Sequence, residues 1–394
     1  MPMKKQVEAM YADIYGDHPH IRTFFAPGRI NLIGEHIDYN GGYVLPAAIS
    51  LGNYLAVVPR EDQTIRMYSA QFPDMGVIQV SLDQLDYRSK HSWANYVKGI
   101  IQELVIRKYP IHHGFDLVIT GNLPRGVGLS SSASIEVLVA TMMNHLFQLS
   151  LSKDTIVEIA QYVENHYIHV QCGIMDQFAI TFAQKNHAML LHSTTQKHDM
   201  IPLNLAGYNL VVVNSKKERS LIDSQYNARK NECEKALIIL KPHFHVKYLC
   251  DIDYESFMRH LDLFKTNDVY LRRARHVITE NLRTRLASDA LMQHDLHRFG
   301  ELMLESHYSL KSDYEVTSAE LDALVELGMN SGSIGSRMMG AGFGGVTLHL
   351  VKDNDFARFA RSVSDGYHHR FGIEPDIFII DTSDGAHELI DVHE

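Results

Sequence analysis

The spacing of apolar residues changes rhythm several times along the chain. Residues 4–15 carry a helical spacing and predict a short amphipathic helix. "TFFAPGRINLIG" and "YLAVVPRED" then give apolar, β-favouring runs broken by Gly and Pro, which predict strands and turns. "TIRMYSA" and "GVIQVSL" alternate apolar and polar positions, as half-exposed strands do. Helical spacing returns in "WANYVKGIIQELVIRKY", through Tyr96, Val97, Ile100, Ile101, Leu104 and Val105. "GFDLVITGNLP" predicts a strand, followed by a glycine-rich turn and the helix "SASIEVLVATMMNHLFQL". A further helix, "KDTIVEIAQYVENHYIHV", leads into "CGIMDQFAITFAQ".

Near residue 200 the pattern turns to strand, in "HAMLLHS" and "YNLVVVNS". Long helical segments follow across 222–240 and 268–329, and the end reads strand, helix, strand in "GVTLHLV", "DNDFARFARSVSDGYHHRF" and "DIFIIDTS". The mixed order of strands and helices argues for two α+β domains, 1–200 and 201–394, although no flexible linker marks the boundary. No internal repeat or low-complexity tract stands out.

The 394 residues suffice for two or three domains, and the 45% apolar and 21% charged content is that of an ordinary globular chain. A net charge of −10 without a basic run speaks against a nucleic-acid surface. Cys172, Cys233 and Cys250 have no metal-type spacing, which fits a reducing compartment. The N-terminus lacks the apolar core of a signal peptide, and no stretch approaches the roughly 18 apolar residues of a membrane span. The expectation is a cytoplasmic protein that binds neither membrane nor nucleic acid. The 24 histidines are scattered, without H-E-x-x-H.

Four stretches carry candidate chemistry. "APGRINLIGEHIDYNGG" (26–42) crowds Arg29, Glu35, His36 and Asp38 between a Pro-Gly pair and an Asn-Gly-Gly turn. It is either a surface hairpin with incidental charges or a place where charged groups converge on a ligand. "GNLPRGVGLSSSAS" (121–134) lies between a predicted strand and a predicted helix. Gly126 and Gly128 allow close approach of a ligand, and Ser130, Ser131 and Ser132 sit where a helix begins, with free amides and a partial positive charge. That suits a polyphosphate, and equally a serine N-cap after an ordinary loop. It is neither a Walker A motif nor a complete dinucleotide fingerprint. "GSRMMGAGFGGVTLHL" (335–350) holds Gly340, Gly342, Gly344 and Gly345 in a loop entering a strand, either a tight connection or a close ligand approach. In "CGIMDQFAI", Asp176 stands where a loop enters a helix, an ordinary place for a capping acid.

Taken together, these stretches resemble galactokinases, members of the GHMP family of small-molecule kinases. The first resembles the family's signature segment, "PRGVGLSSSAS" its phosphate loop and "GSRMMGAGFGG" its third glycine-rich motif. "CGIMDQFA", "SQYNARKNECEKA", "RRARHVITE" and "ESHYSLKSDYEV" extend the likeness, in order, over nearly the whole chain. The resemblance implies a two-domain α+β architecture: an N-terminal mixed-sheet domain, a C-terminal ferredoxin-like α/β sandwich, and an active site in the cleft between them. It implies phosphorylation of the anomeric hydroxyl of D-galactose by ATP, the entry step of the Leloir pathway.

On this likeness Glu35, His36, Asp38, Gly173 and Tyr226 would contact the sugar. Carboxylates suit that task because each accepts two hydroxyl protons. Arg29 and Asp176 would be the reactive pair, the arginine stabilising charge on the phosphoryl oxygens. Phosphoryl transfer has a loose transition state, so Asp176 would mainly orient the hydroxyl and take its proton late. Gly126, Gly128, Leu129, Ser130, Ser131 and Ser132 would hold ATP, and Ser132 and Glu164 would contact Mg²⁺. Trp93, the only tryptophan, either flanks adenine or packs in the core. The implied partners are galactose and MgATP, the implied state a monomer or weak homo-oligomer.

The sequence departs from the commonest family pattern at Ile37, Tyr43, Met339, Ala341 and the run His192–Ser193–Thr194, and none of these touches the reactive pair. A sister kinase for N-acetylgalactosamine would share the same residues. A non-catalytic sugar-binding regulator need not keep Arg29, Asp176 and the serine run together. A dinucleotide enzyme lacks its third glycine here.

Overall fold

The computed structural model describes residues 3–124, 128–170, 172–217, 222–265 and 267–390. The first amphipathic segment forms α1 (Met3–Tyr15), which buries Val7 and Tyr11 against Ala56, Val58 and Val118. Then come β1 (Arg22–Asn31), β2 (Tyr43–Val44), β3 (Pro46–Pro59), β4 (Thr64–Ser69), β5 (Ile78–Ser81), α2 (Ala94–Ile106), β6 (Phe115–Gly121), α3 (Ser131–Leu146), α4 (Lys153–Tyr162) and α5 (Met175–Phe182). The middle of the chain supplies β7 (His187–His192), β8 (His198–Pro202), β9 (Tyr208–Asn214), α6 (Ile222–Phe244), α7 (Tyr254–Met258) and α8 (Asp268–Met292). The rest is α9 (Leu296–Ser309), α10 (Ala319–Asn330), β10 (Gly335–Met339), β11 (Val346–Lys352), α11 (Phe356–Phe371), β12 (Asp376–Ile380) and β13 (His387–Glu388).

A six-stranded sheet runs in the order β13-β1-β3-β6-β4-β5, mixed because β4 and β6 pair in parallel. Its core face packs on α2, α3 and α4 through Phe24, Leu55, Met67, Ile100, Leu117 and Leu138. A four-stranded antiparallel sheet, β10-β11-β9-β12, forms the C-terminal unit, and β2-β7-β8 form a small third sheet. Alternation along β9 sets its two faces. Val211 and Val213 point to Phe359 and Val363 of α11, whereas Leu210 and Val212 join a cluster with Ile30 and Leu32 of the N-terminal unit. One apolar cluster thus joins the two large sheets and fixes how the signature segment faces the C-terminal strands. The result is a two-domain α+β architecture, with a mixed sheet in the first unit and an antiparallel one in the second. No helix among the described residues is long and apolar enough to cross a membrane.

The observed elements depart from the sequence pattern in several places. The helix expected over 153–170 stops at Tyr162 and continues as a π-turn, Val163–Tyr167, in which Ile168 N–H bonds to Val163 O at 2.9 Å. A π-turn inserts one residue per turn and is common beside functional sites. The span 268–329 breaks at the caps Asp295 and Ser318, whose side chains accept from Arg298 N–H and Leu321 N–H. Strands β2, β8, β10 and β13 and the short helix α7 fall outside the segments that the sequence pattern predicts. β10 is wholly buried, yet Ser336 and Arg337 interrupt its apolar pattern and hide the strand.

Candidate active site

The signature segment is not a surface hairpin: residues 29–37 are all buried. β1 carries it into the core, and its pairing with β3 shifts register between Pro27 and Gly28. Such an irregularity re-aims the side chains beyond it, here Arg29. Gly28 is required at this point, because a Cβ would lie 2.5 Å from Leu123 Cδ2 and 2.8 Å from the backbone oxygen of Leu129. The same Leu129 oxygen accepts from Arg29 N–H at 3.2 Å, which locks strand and glycine turn together.

Arg29 makes a two-pronged bond to Asp176, Nε to Oδ1 at 2.8 Å and Nη2 to Oδ2 at 3.0 Å. Its Nη1 donates to Gly128 O at 2.7 Å. Ser130 Oγ–H donates to Asp176 Oδ2 as well. Ser130 precedes α3 in a left-handed conformation (φ 59°), and its hydroxyl makes no cap bond. The serine therefore serves the Arg29–Asp176 pair and not the helix. Asp176 likewise is not the cap of α5. It lies in the first turn, where the helix dipole favours an acid, and its oxygens face Arg29 and Ser130.

Next to this pair lies a cavity of about 380 Å³ lined by Arg29, Glu35, His36, Asp38, Glu164, Cys172, Gly173, Asp176, Tyr226, Gly340 and Ala341, among others. Glu35 is 3% exposed. Its Oε2 accepts from Asn31 Nδ2 at 3.0 Å, and its Oε1 from Gly340 N–H at 2.9 Å and Arg337 Nη1 at 3.3 Å. Asp38 stands over Gly173, where a Cβ would collide with its Oδ2. Burial, opposed by backbone N–H bonds and reinforced by Asp176 and Glu35, raises the Asp38 carboxyl to about 6. Burial and the nearby Asp38 push the Tyr226 phenol well above its usual range. His36 takes φ 63°, and burial drives its ring down to about 3, so it is neutral. Both of its nitrogens are engaged by the protein, Nδ1 with Tyr39 OH at 2.8 Å and Nε2 with Ala341 O at 3.1 Å. His36 lines the cavity without a free ring nitrogen.

Glu164, which also lines this cavity, sits in the π-turn and accepts from Ser132 Oγ at 2.8 Å and Gln177 Nε2 at 2.6 Å. The same amide reaches Glu136 Oε2 at 3.4 Å, and Glu136 is fully buried with Oε1 unpartnered. Burial raises both carboxyls, that of Glu136 further through its neighbour Glu164. A second cavity, of about 420 Å³, is lined by Trp93, Tyr96, Ser131, Ser132, Leu123 and Ile135, among others. Trp93 is 3% exposed and belongs to the main core, yet its indole N–H has no hydrogen-bond partner among the described residues, and the side chain borders this space. It both packs and lines.

The structure thus brings together Arg29, Glu35, His36, Asp38, Gly173, Asp176 and Tyr226 around one cavity, and Trp93, Ser131 and Ser132 around the other. Gly128, Leu129 and Ser130 each bond the Arg29–Asp176 pair, and Ser131 and Ser132 of the second cavity follow them directly. Gly126 lies outside the described residues. Sequence reasoning missed Asn31, Glu136, Gln177, Arg337, Gly340 and Ala341. The sequence pattern offers the third glycine-rich motif either as a tight connection or as a close ligand approach, and nothing in it ties Arg337, the Gly340 amide or the Ala341 carbonyl to Glu35 and His36.

Comparison with known proteins identifies the family. Residues 9–59 match the family model described as the galactokinase galactose-binding signature, residues 95–184 the GHMP kinases N-terminal domain, and residues 287–369 the GHMP kinases C-terminal domain. The galactokinase of Bacillus subtilis is 45% identical over 98% of this chain and 99% of its own. That of Clostridium acetobutylicum is 44% identical over 99% and 100%. A crystal structure of Lactococcus lactis galactokinase complexed with galactose superposes with TM-score 0.94 at 40% identity, covering 98% of this chain and 99% of that one. A Methanococcus jannaschii mevalonate kinase, 19% identical with TM-score 0.65, shares the fold alone. Over nearly its full length, the chain belongs to the galactokinase family of GHMP kinases.

Proposed function

We propose that the chain transfers the γ-phosphoryl group of ATP to the anomeric hydroxyl of D-galactose, giving galactose-1-phosphate and ADP. The observation that carries this reading is the Arg29–Asp176 pair, which stands between a cavity walled by hydroxyl-binding groups and the turn 128–132 at the start of α3. Galactose occupies the first cavity, with Glu35, Asp38 and Tyr226 taking its hydroxyls, Gly173 closing the wall and His36 shaping it. A site that bonds every hydroxyl rejects analogues lacking one, since its own buried groups would go unpaired. ATP lies along Gly128, Leu129, Ser130, Ser131 and Ser132, where the amides that open α3 face its phosphates, and adenine enters the space beside Trp93.

Asp176 orients the anomeric hydroxyl and receives its proton as the sugar oxygen bonds to the γ-phosphorus. The bond from that phosphorus to the β–γ bridging oxygen breaks, and its electron pair leaves with ADP. Arg29, a permanent cation anchored on Gly128 O, stabilises charge on the transferring phosphoryl group. Ser130 keeps the second Asp176 oxygen oriented. Ser132 and Glu164 are the residues that would hold Mg²⁺. Their hydroxyl and carboxylate are hard oxygen donors already set against each other, and two protein oxygens suit an ion that keeps waters and phosphate oxygens. When bound, the ion would neutralise phosphate charge.

We place the boundary between the two units near residue 200, with the tail after Ile380 returning to the first. Three cysteines without disulfide partners support a reducing, cytoplasmic setting. The decisive experiment follows ADP release from MgATP with galactose, N-acetylgalactosamine, glucose, arabinose and mevalonate. Turnover confined to galactose is expected. Joint binding of galactose and ATP without turnover would overturn the reading in favour of a sugar-binding regulator.

A further inference from the structure

We propose that Tyr39 and Tyr314 are positioning residues that fix His36 as its Nε2–H tautomer, whose single N–H proton holds the Ala341 carbonyl and with it the glycine turn walling the first cavity. The direction of each bond follows from chemistry. A carbonyl oxygen only accepts, so Nε2 of His36 must donate to Ala341 O, 3.1 Å away. The ring is buried among His276, Arg229 and Arg337, all of which disfavour a second proton, so it carries one N–H and Nδ1 is an acceptor. Tyr39 O–H, at 2.8 Å, must then be the donor to Nδ1. With its proton committed, the Tyr39 oxygen accepts from Tyr314 O–H at 2.8 Å. The Tyr314 oxygen in turn accepts from the Cys233 thiol at 3.1 Å. One carbonyl therefore sets the direction of four consecutive bonds that run from the cavity wall to the buried face of α6.

Packing alone does not explain the two hydroxyls. Phenylalanine would fill the same space against the His36 ring, and Tyr314 is fully buried, where an unpaired hydroxyl is costly. The chain leaves each member satisfied. Its output is local and specific. Ala341 follows Gly340, whose N–H bonds Glu35, so the same turn grips two consecutive signature residues, one by its amide and one by its carbonyl. In the other tautomer a bare Nε2 would face the Ala341 oxygen lone pair to lone pair, and the turn would move away from both.

The kinetic readout rests on the proposed sugar site, so the test pairs it with a spectroscopic one that does not. In ¹⁵N-histidine-labelled protein, the His36 ring, assigned by its loss in His36→Gln, is expected to show a neutral Nε2–H pattern unchanged between pH 6 and 8. Tyr39→Phe and Tyr314→Phe are expected to admit the Nδ1–H form. They should raise KM for galactose about five- to tenfold, the effect of one lost hydrogen bond, with kcat and KM for ATP held within about twofold. Cys233→Ser, which keeps a donor, should behave as the parent does. A wild-type His36 that is Nδ1–H or charged in that range overturns the proposal, as does an equal change in all three kinetic constants. If wild type turned over no galactose while the tautomer shifts occurred as stated, the functional reading would fail and the relay would stand.

Discussion

The two cavities, one lined by Arg29 and Asp176 and the other by Trp93 and the first serines of α3, are built differently. In the first, the groups offered to a ligand are themselves tied down: three donors hold Glu35, Gly173 leaves room for Asp38, and both nitrogens of His36 are engaged. In the second, Leu123, Ile135, Phe72 and Trp93 give a largely apolar lining beside Ser131 and Ser132. Under the proposed function the difference has a physical reason. A hexose is told from its epimers by where single hydroxyls point, so its acceptors must be fixed before it arrives. A nucleotide is recognised mainly by a flat apolar slot and a phosphate cradle, which need fewer fixed polar atoms. Rigidity is placed where stereochemistry is read.

The largest expected effect comes from breaking the Arg29–Asp176 pair that lines the first cavity. Asp176→Asn should lower kcat by about 10²- to 10⁴-fold while ADP binding persists, measured by steady-state kinetics and nucleotide titration. Arg29→Lys, which loses the two-pronged bond, should cost about 10²-fold or more in kcat. Gly173→Ala then tests the fixed side alone. Its Cβ would displace the Asp38 carboxylate and raise KM for galactose by up to about 10²-fold, with KM for ATP unchanged.

Next in size is a proton effect confined to the sugar side. The free Asp38 carboxyl stands near 6, and sugar hydroxyls donating to it would favour its ionised form. Galactose binding should therefore release a proton near pH 6 and weaken as pH falls below that value, which calorimetry in buffers of different ionisation enthalpy would read. The same shift has the opposite sign for stability. The folded apo protein holds this proton more tightly than the unfolded chain, so stability decreases from about pH 4 towards about pH 6 through this group. The smallest effect is Trp93→Phe, expected to raise KM for ATP about two- to tenfold and leave KM for galactose alone.

Much of the site was legible because its chemistry is concentrated in short segments. Arg29, Glu35, His36 and Asp38 lie within one strand end and turn, and the serine run opens a helix whose apolar spacing is clear. The supporting residues were not legible, since they act across the fold. Arg337 reaches Glu35 from 302 residues away, and the Gln177 amide reaches Glu164 only because a π-turn, invisible to apolar spacing, places that carboxylate. The missed strands have their own causes: β10 carries a buried guanidinium, β2 and β13 are two residues long, and β8 opens on two polar residues. The sequence also could not tell whether Ser130 caps α3. That depends on a left-handed backbone that frees its hydroxyl for Asp176.

The return of the chain to its first sheet has a consequence during synthesis. β13 pairs with the outer edge of β1, and Glu388 closes on Arg22 at 2.7 Å, 366 residues after it. At about 5–20 residues per second, the strand that carries Arg29 leaves the ribosome with that edge unpaired for roughly 20–70 s. An open edge of this kind is a template for pairing with other chains. A nascent chain stalled before residue 387 should be held by chaperones or aggregate, even with every residue of both cavities already made.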